Sequence, residues 1–175
     1  MASEIWSQTL SGCPSDTDSL VNLLAIVCQM SWCQTSDEII ENHRNDMYAQ
    51  YVQMDKEFIK TTLAFMPSIN KKMKQSKEVL KKVDLINTIL YKKMDKTTKE
   101  NIENELAQLT TNGYRLLGET NEEDSKGISY VIMEDEIITD LIVFAESKGK
   151  FSLMQMKGRI TSDQVGTVEK FGTKK

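Results

Sequence analysis

The sequence predicts an α+β domain, a mainly antiparallel sheet of about six strands with three helices in the order β-α-β-α-β-β-β-β-α. Three observations lead there. Four strand-like runs follow residue 113, separated by connectors short enough for hairpins. Two earlier stretches switch to helical spacing and carry start and stop signals. No self-similarity of solenoid period runs through the chain.

The elements follow in chain order. Residues 36–47, "SDEIIENHRNDM", read as a polar lead-in to a domain that spans 48–175. Tyr48 to Met54 alternates as a short strand, with Tyr48, Gln50, Val52 and Met54 on one face. From Asp55 the period lengthens: Phe58, Ile59, Thr62, Leu63 and Met66 form a helical stripe that Pro67 stops. "KKMKQSKEVLKK" then reads as a lysine-rich connector, and "VDLINTILY" (Val83 to Tyr91) returns to strand residues.

Thr97-Thr98-Lys99-Glu100 has the capping-box pattern, a hydroxyl followed three residues later by a carboxylate. The helix it predicts carries Ile102, Leu106 and Leu109 on one face and ends at Asn112-Gly113, where glycine accepts the left-handed conformation. The four strands expected next are Tyr114 to Thr120, Ile128 to Met133, Ile137 to Glu146 and Phe151 to Gly158, an antiparallel meander. Thr161-Ser162-Asp163-Gln164 is a second capping box, opening a last helix that reaches about Phe171.

The first 33 residues differ in kind. Cys13, Cys28 and Cys33 all precede residue 34, and neither Lys nor Arg occurs before Arg44. Leu20 to Cys33 is too short for the roughly 20 apolar residues of a membrane-crossing helix, and it has the size of a signal-peptide core. Ser31 and Cys33 place small residues three and one positions before a cut between Cys33 and Gln34. The preceding segment is acidic where an export signal is ordinarily basic, so a buried N-terminal helix is the competing reading. Lipid attachment at Cys33 is disfavoured by the bulky Trp32 before it. A cut after Cys33 leaves a mature chain free of cysteine, compatible with an oxidising compartment and closed to thiol chemistry. The expected location is then the periplasm or cell envelope, and the cytoplasm if the segment is retained.

A chain of 175 residues can bury a core without metal or disulfide staples. With 39% hydrophobic and 27% charged residues it is neither wholly disordered nor a multi-span membrane protein. A net charge of -4 argues against a nucleic-acid binder working through bulk charge.

The segment "YRLLGETNEEDSKGISYVIMEDEIITDLIVFAESKGKFSLMQMKGRITSDQV" resembles the C-terminal half of family 4252 of the domain-of-unknown-function series, small exported proteins of Bacteroidota. "YVQMDKEFIKTTLAFMP" resembles that family's first strand and helix, and "LINTILYKK" its second strand, so the likeness covers about residues 46 to 171. The resemblance implies an exported α+β domain of unassigned activity, with Gln34 as the mature start. Residues 1–19 depart from it, since a member ordinarily opens with a short basic start. No catalytic residue is carried over, because the family supplies none.

The residues themselves offer little chemistry. His43 is the one histidine, and in a polar lead-in it reads as a surface residue. Without mature cysteines a zinc site would rest on carboxylates, an uncommon ligand set, so no metal or other cofactor is expected. Glu122-Glu123-Asp124 and Glu134-Asp135-Glu136 lack the spacing of a calcium loop and fit solvated hairpin tips. The glycines are isolated and form no phosphate-cradling loop. Lys71, Lys72, Lys74, Lys77, Lys81 and Lys82 make the densest charge run; without interleaved aromatics it reads as a solvated connector, with contact to anionic lipid as the functional alternative.

One hint comes from the strands. Ile128, Tyr130 and Ile132 alternate with Val131 and Met133, and Leu141 and Val143 with Ile142 and Phe144, so the sheet is apolar on both faces. Either helices cover both, or a face bearing Met133, Met154 and Met156 is left for a protein partner or a second copy. The sequence thus points to an exported, non-enzymatic binding domain of unknown ligand, an envelope sensor or accessory protein acting through an apolar sheet face. The competing class is a hydrolase-type enzyme using carboxylates, serines or Tyr130 in a pocket that the sequence does not reveal.

Overall fold

The computed structural model describes residues 34–67 and 70–161. The chain divides into Met1–Cys33 and Gln34–Lys175, and the described residues all belong to the second unit. In chain order they form α1 (Ser36–His43), β1 (Ala49–Asp55), α2 (Lys56–Phe65), α3 (Lys71–Leu80), β2 (Val83–Tyr91) and α4 (Lys96–Gln108). A 3₁₀ turn (Leu109–Asn112) ends α4, and β3 (Arg115–Glu122), β4 (Ser125–Glu134), β5 (Ile137–Ser147) and β6 (Lys150–Thr161) follow. The α+β class with a six-stranded antiparallel sheet is therefore as the sequence predicts, in the order β1-β2-β6-β5-β4-β3.

Turn chemistry builds the meander. Asp135 and Glu136 take φ of 47° and 66°, and Lys148 and Gly149 take 50° and 72°, so each pair reverses the chain in two left-handed residues, the twist that suits a hairpin. The sheet then closes on β2 through β6. Gly158 sits against the α3–β2 turn: a Cβ there would lie 2.3 Å from the Lys82 carbonyl oxygen. Only glycine permits that approach, which the Arg159 amide fastens with a 2.9 Å bond to the same oxygen.

Four helices are present among the described residues, and two regions depart from the sequence expectation. The polar lead-in is a helix. Thr35 caps α1 in a reciprocal capping box with Glu38, and Ile39, Ile40 and His43 are buried. The lysine-rich connector is also a helix, α3, capped by the Asn70 side chain on the Met73 amide. Its Ser76 and Val79 face inward, so one polar residue in the stripe hides the helical period. In α4 the cap is Asp95, accepting from the Thr98 amide, two residues ahead of the expected Thr97. The left-handed Gly113 (φ 86°) ends that helical stretch as expected. The last predicted helix lies beyond Thr161, outside the described residues.

Each sheet face has its own apolar core. On the first, Ile39 and Ile40 of α1 and Ile102 and Leu106 of α4 pack on Ile89, Tyr130, Ile142 and Leu153. On the second, Ile59 and Leu63 of α2 and Val79 of α3 pack on Ile86, Val131, Leu141 and Met156. Bulges between Ile138 and Asp140 and between Val83 and Leu85 shift the alternation near one end of the sheet.

Candidate functional site

Strand register defines a continuous surface on the second face. Three transverse rows can be followed across all six strands. The first is Met54–Ile86–Met156–Leu141–Val131–Arg115, whose four central residues are buried beneath α2 and α3. The second is Val52–Thr88–Met154–Val143–Ser129–Gly118, and the third Gln50–Leu90–Ser152–Ala145–Gly127–Thr120. Exposure rises along the strands away from the first row: Ile86 and Met156 are 5% and 4% exposed, whereas Val52 reaches 45% and Leu90 44%. Met154, Val143, Ser152, Ala145 and Gly127 are half-buried.

Neither of the outer two rows contains a charged residue, in a chain whose charged fraction is 27%. The next register positions are Lys150, Ser147, Ser125 and Glu122, so charge returns at the rim. An uncharged, partly apolar centre bounded by polar residues has the anatomy of an interface. The methionines named from sequence divide accordingly: Met156 is core, Met154 is on the open shelf, and Met133 is half-buried against the second core.

The first face carries a polar seam under α1. Ser36 Oγ donates to Asp140 Oδ2 at 2.5 Å and accepts from Gln155 Nε2 at 2.6 Å. Tyr114 donates to the same Asp140 oxygen at 2.9 Å and accepts from the Ser36 amide at 3.1 Å. Gln155 reaches Asp37 at 2.9 Å and accepts from Asn87 at 2.7 Å, and Asn87 accepts from the Tyr51 hydroxyl at 2.9 Å. Lys157 pairs with Asp37 and stands 4.0 Å from Asp140 Oδ2. Burial pushes the Asp140 carboxyl above the usual range, against the hydrogen bonds of Ser36 and Tyr114, which pull it down. Burial also pushes the Tyr114 hydroxyl up to about 12. Ser36 and Gln155 are fully buried, while Asp37 at the end of the seam is exposed, and the seam fastens α1 to β5 and β6.

His43 corrects the sequence reading: it is 6% exposed. Its Nδ1 lies 2.7 Å from Asp46 Oδ2 and its Nε2 3.0 Å from Glu105 Oε2, while the Tyr91 hydroxyl donates to Asp46 at 2.9 Å. Burial pulls the ring pKa down, but the hydrogen bonds and charges of Glu105 and Asp46 outweigh it and the net shift is upward. The cluster clips the end of α1 to α4.

An open cleft of about 330 Å³ lies where α4 meets the hairpin ends, lined by Lys99, Glu103, Glu119, Lys126, Phe144 and Glu146 among others. Its charges are already partnered in part: Lys99 bonds Glu146 at 2.6 Å and lies 5.5 Å above the Phe151 ring. The acidic triplets at residues 122–124 and 134–136 are exposed at hairpin ends. Lys71, Lys74, Lys81 and Lys82 are exposed on and just after α3, and Lys77 is half-buried. Lys72 belongs to α3, and Cys33 lies outside the described residues, while Gln34 accepts from Asn112 through its backbone oxygen. Among the described residues no helix is long and apolar enough to cross a membrane, and no group of three or more His, Cys, Asp or Glu side chains is placed to hold a metal ion.

Sequence reasoning missed the Ser36–Asp140–Gln155 seam and the His43 clip. Two signals pointed to them: the Thr35-x-x-Glu38 capping box, and a lone Asp140 inside the apolar run "IITDLIVF".

Among the described residues, fold and surface together define a small two-faced α+β domain in which α1 and α4 pack on one face and α2 and α3 cover part of the other. The chain belongs to the family described as domain of unknown function (DUF4252), which it matches over residues 43–168. No curated protein and no solved structure matches it.

Proposed function

We propose that this chain is an exported, non-enzymatic binding domain, an envelope sensor or accessory protein, that meets a protein partner through the shelf of Val52, Leu90, Met154, Val143 and Ala145. The observation that carries this reading is the absence of charge from two complete register rows in which every residue but the buried Ser129 is partly or largely exposed. A soluble domain ordinarily fills such positions with charge on any face it does not use, because exposed apolar sheet invites association. The polar seam favours binding over hydrolysis: Ser36 is fully buried, and both nitrogens of the one histidine are held by carboxylates elsewhere.

Export draws support from the boundary. The capping residue Thr35 and α1 begin immediately after the expected cut between Cys33 and Gln34, so the cut would fall just ahead of the first described helix. Intact-mass analysis of the protein from envelope and cytosolic fractions of its native host tests this part. A form beginning at Gln34 in the envelope is expected, and an unprocessed cytosolic chain refutes export. For binding, tagged wild-type chain and Val143→Arg are recovered side by side from the native host. At least one protein, or the untagged chain itself, is expected with wild type and not with the variant; identical sets for both would refute the shelf.

A further inference from the structure

Residues 56–82, which hold α2 and α3, carry eight lysines against two acidic residues, Glu57 and Glu78, in a chain whose net charge is -4. Pairing does not cancel the surplus. Lys56, Lys60 and Lys81 bond Asp84, Glu57 and Glu78, whereas no described acidic side chain pairs with Lys71, Lys74 or Lys77. On α3 the spacing of Lys71, Lys74 and Lys81 sets them on the side away from the buried Ser76 and Val79, and all three are exposed. The helix thus gathers along its outer side a charge opposite in sign to that of the whole chain.

The helix α2, which shares the second core with α3, exposes aromatic surface. Phe58 and Phe65 lie seven residues apart on one stripe with Thr62, and they are 57% and 84% exposed. No other large apolar side chain described is as exposed as Phe65. Core packing accounts for Ile59 and Leu63 on the inner side and not for these two rings. The Thr61 and Thr62 hydroxyls donate to the Glu57 and Phe58 carbonyls, each at 2.9 Å, so their hydrogens are already spent on the helix and this surface leaves water at low cost. An anionic lipid surface asks for both features together, lysines for the headgroups and aromatic rings for the acyl boundary. A nucleic-acid groove instead interleaves stacking rings with cations along one track, and here the rings belong to α2 and the unpaired lysines to α3.

We infer that the outer side of the α2–α3 layer docks on an anionic bilayer surface, with Phe58 and Phe65 entering the interface while Lys71, Lys74 and Lys77 meet the headgroups. This surface is separate from the shelf of Val52, Leu90 and Met154 and stands or falls without it.

Sedimentation of the full-length chain with lipid vesicles tests it, comparing phosphatidylethanolamine carrying about one-third phosphatidylglycerol with phosphatidylcholine alone. Binding to the anionic vesicles is expected to be the stronger, and to weaken as NaCl is raised from about 0.05 to about 0.5 M. Phe65→Ser should lower it at least about fivefold, and the double variant Lys71→Glu/Lys74→Glu at least about tenfold. The same charge reversal at the exposed Lys92 and Lys93, which follow β2, should leave it within about twofold. Circular dichroism confirms that each variant folds. Equal binding to both vesicle types, no binding, or an equal loss with the Lys92→Glu/Lys93→Glu variant overturns the surface. Wild-type binding by both Phe65→Ser and Lys71→Glu/Lys74→Glu overturns it too, since the contact would then lie elsewhere in the chain. Binding to double-stranded DNA as tight as to the anionic vesicles overturns the lipid in favour of polyanions at large.

Discussion

His43 offers the sharpest physical test of the fold. Its two ring nitrogens each face a carboxylate oxygen, at 2.7 and 3.0 Å, and only the doubly protonated ring can donate to both. A folded pKa above the ordinary 6.5 means that the native state holds the proton more tightly than the unfolded chain. The stabilisation is therefore fully present below pH 6.5 and is lost as pH rises through the folded value. A hydrogen bond to a charged group contributes about 1.5–3 kcal/mol. Asp46 and Glu105 retain side-chain exposures of 26% and 23%, so screening places each bond at the lower end. His43→Leu is expected to cost about 2–3 kcal/mol at pH 6, shrinking to about 1 kcal/mol at high pH, where the neutral ring donates only once. Urea denaturation of both proteins from pH 5.5 to 9.5 reads the difference directly. The comparison also cancels Asp140, whose burial-raised carboxyl gives its own fall in stability with rising pH. NMR titration of the ring needs no assignment, since the chain has one histidine. A midpoint at or below 6.5, or parallel stability curves for the two proteins, would refute the reasoning.

Three further outcomes follow from packing and polar satisfaction. Gly158→Ala forces a Cβ to 2.3 Å from a backbone oxygen and 2.8 Å from Val83 Cα, neither of which can rotate away, so a loss of about 3 kcal/mol or more is expected in thermal or urea unfolding. Ser36→Ala leaves Asp140 and Gln155 each short of a partner in a dry site and should cost about 2 kcal/mol, whereas Asp140→Asn, which removes a buried charge whose Oδ1 has no hydrogen-bond partner, should shift stability at pH 7 by less than about 1 kcal/mol. Asp95→Ala should lower the unfolding midpoint and Thr97→Ala leave it unchanged, because the capping bond to the Thr98 amide comes from Asp95.

Much of the fold was legible because its signals are local. Val83–Tyr91 is bounded in the structure as in the sequence, and the hairpins fall where two-residue polar connectors interrupt apolar alternation. The two helices that escaped share one cause: a polar residue occupies an inward position. In α1 Ser36 and His43 are buried because partners from distant strands and α4 satisfy them, at sequence separations of 104 and 62. In α3 the buried Ser76 stands between Met73 and Val79 and breaks an otherwise readable stripe. Hydrophobic periodicity sees only the apolar half of such a face.

The candidate site failed to show itself for a different reason. Val52 and Leu90 are ordinary strand residues in their own segments, and Ser129 or Gly127 taken alone suggests nothing. Their common property emerges only when five pairings align them, and a slip of one residue in any pairing would turn that strand's contribution to the opposite face. The bulges of β2, β4 and β5 lie near the Val83 and Ile138 end and leave the two uncharged rows straight from β1 to β5, while a further bulge in β3 between Leu116 and Gly118 precedes their last strand. Charge is therefore excluded from positions that are far apart in sequence and adjacent in space, while residues next to them in the chain, such as Gln53, Lys126 and Glu146, are freely polar. Core packing explains the absence of charge from the four buried central residues of the first row, Ile86, Met156, Leu141 and Val131. It does not explain it for Val52 and Leu90, which stand nearly half exposed, and that surplus of uncharged surface is what the proposed binding role would account for.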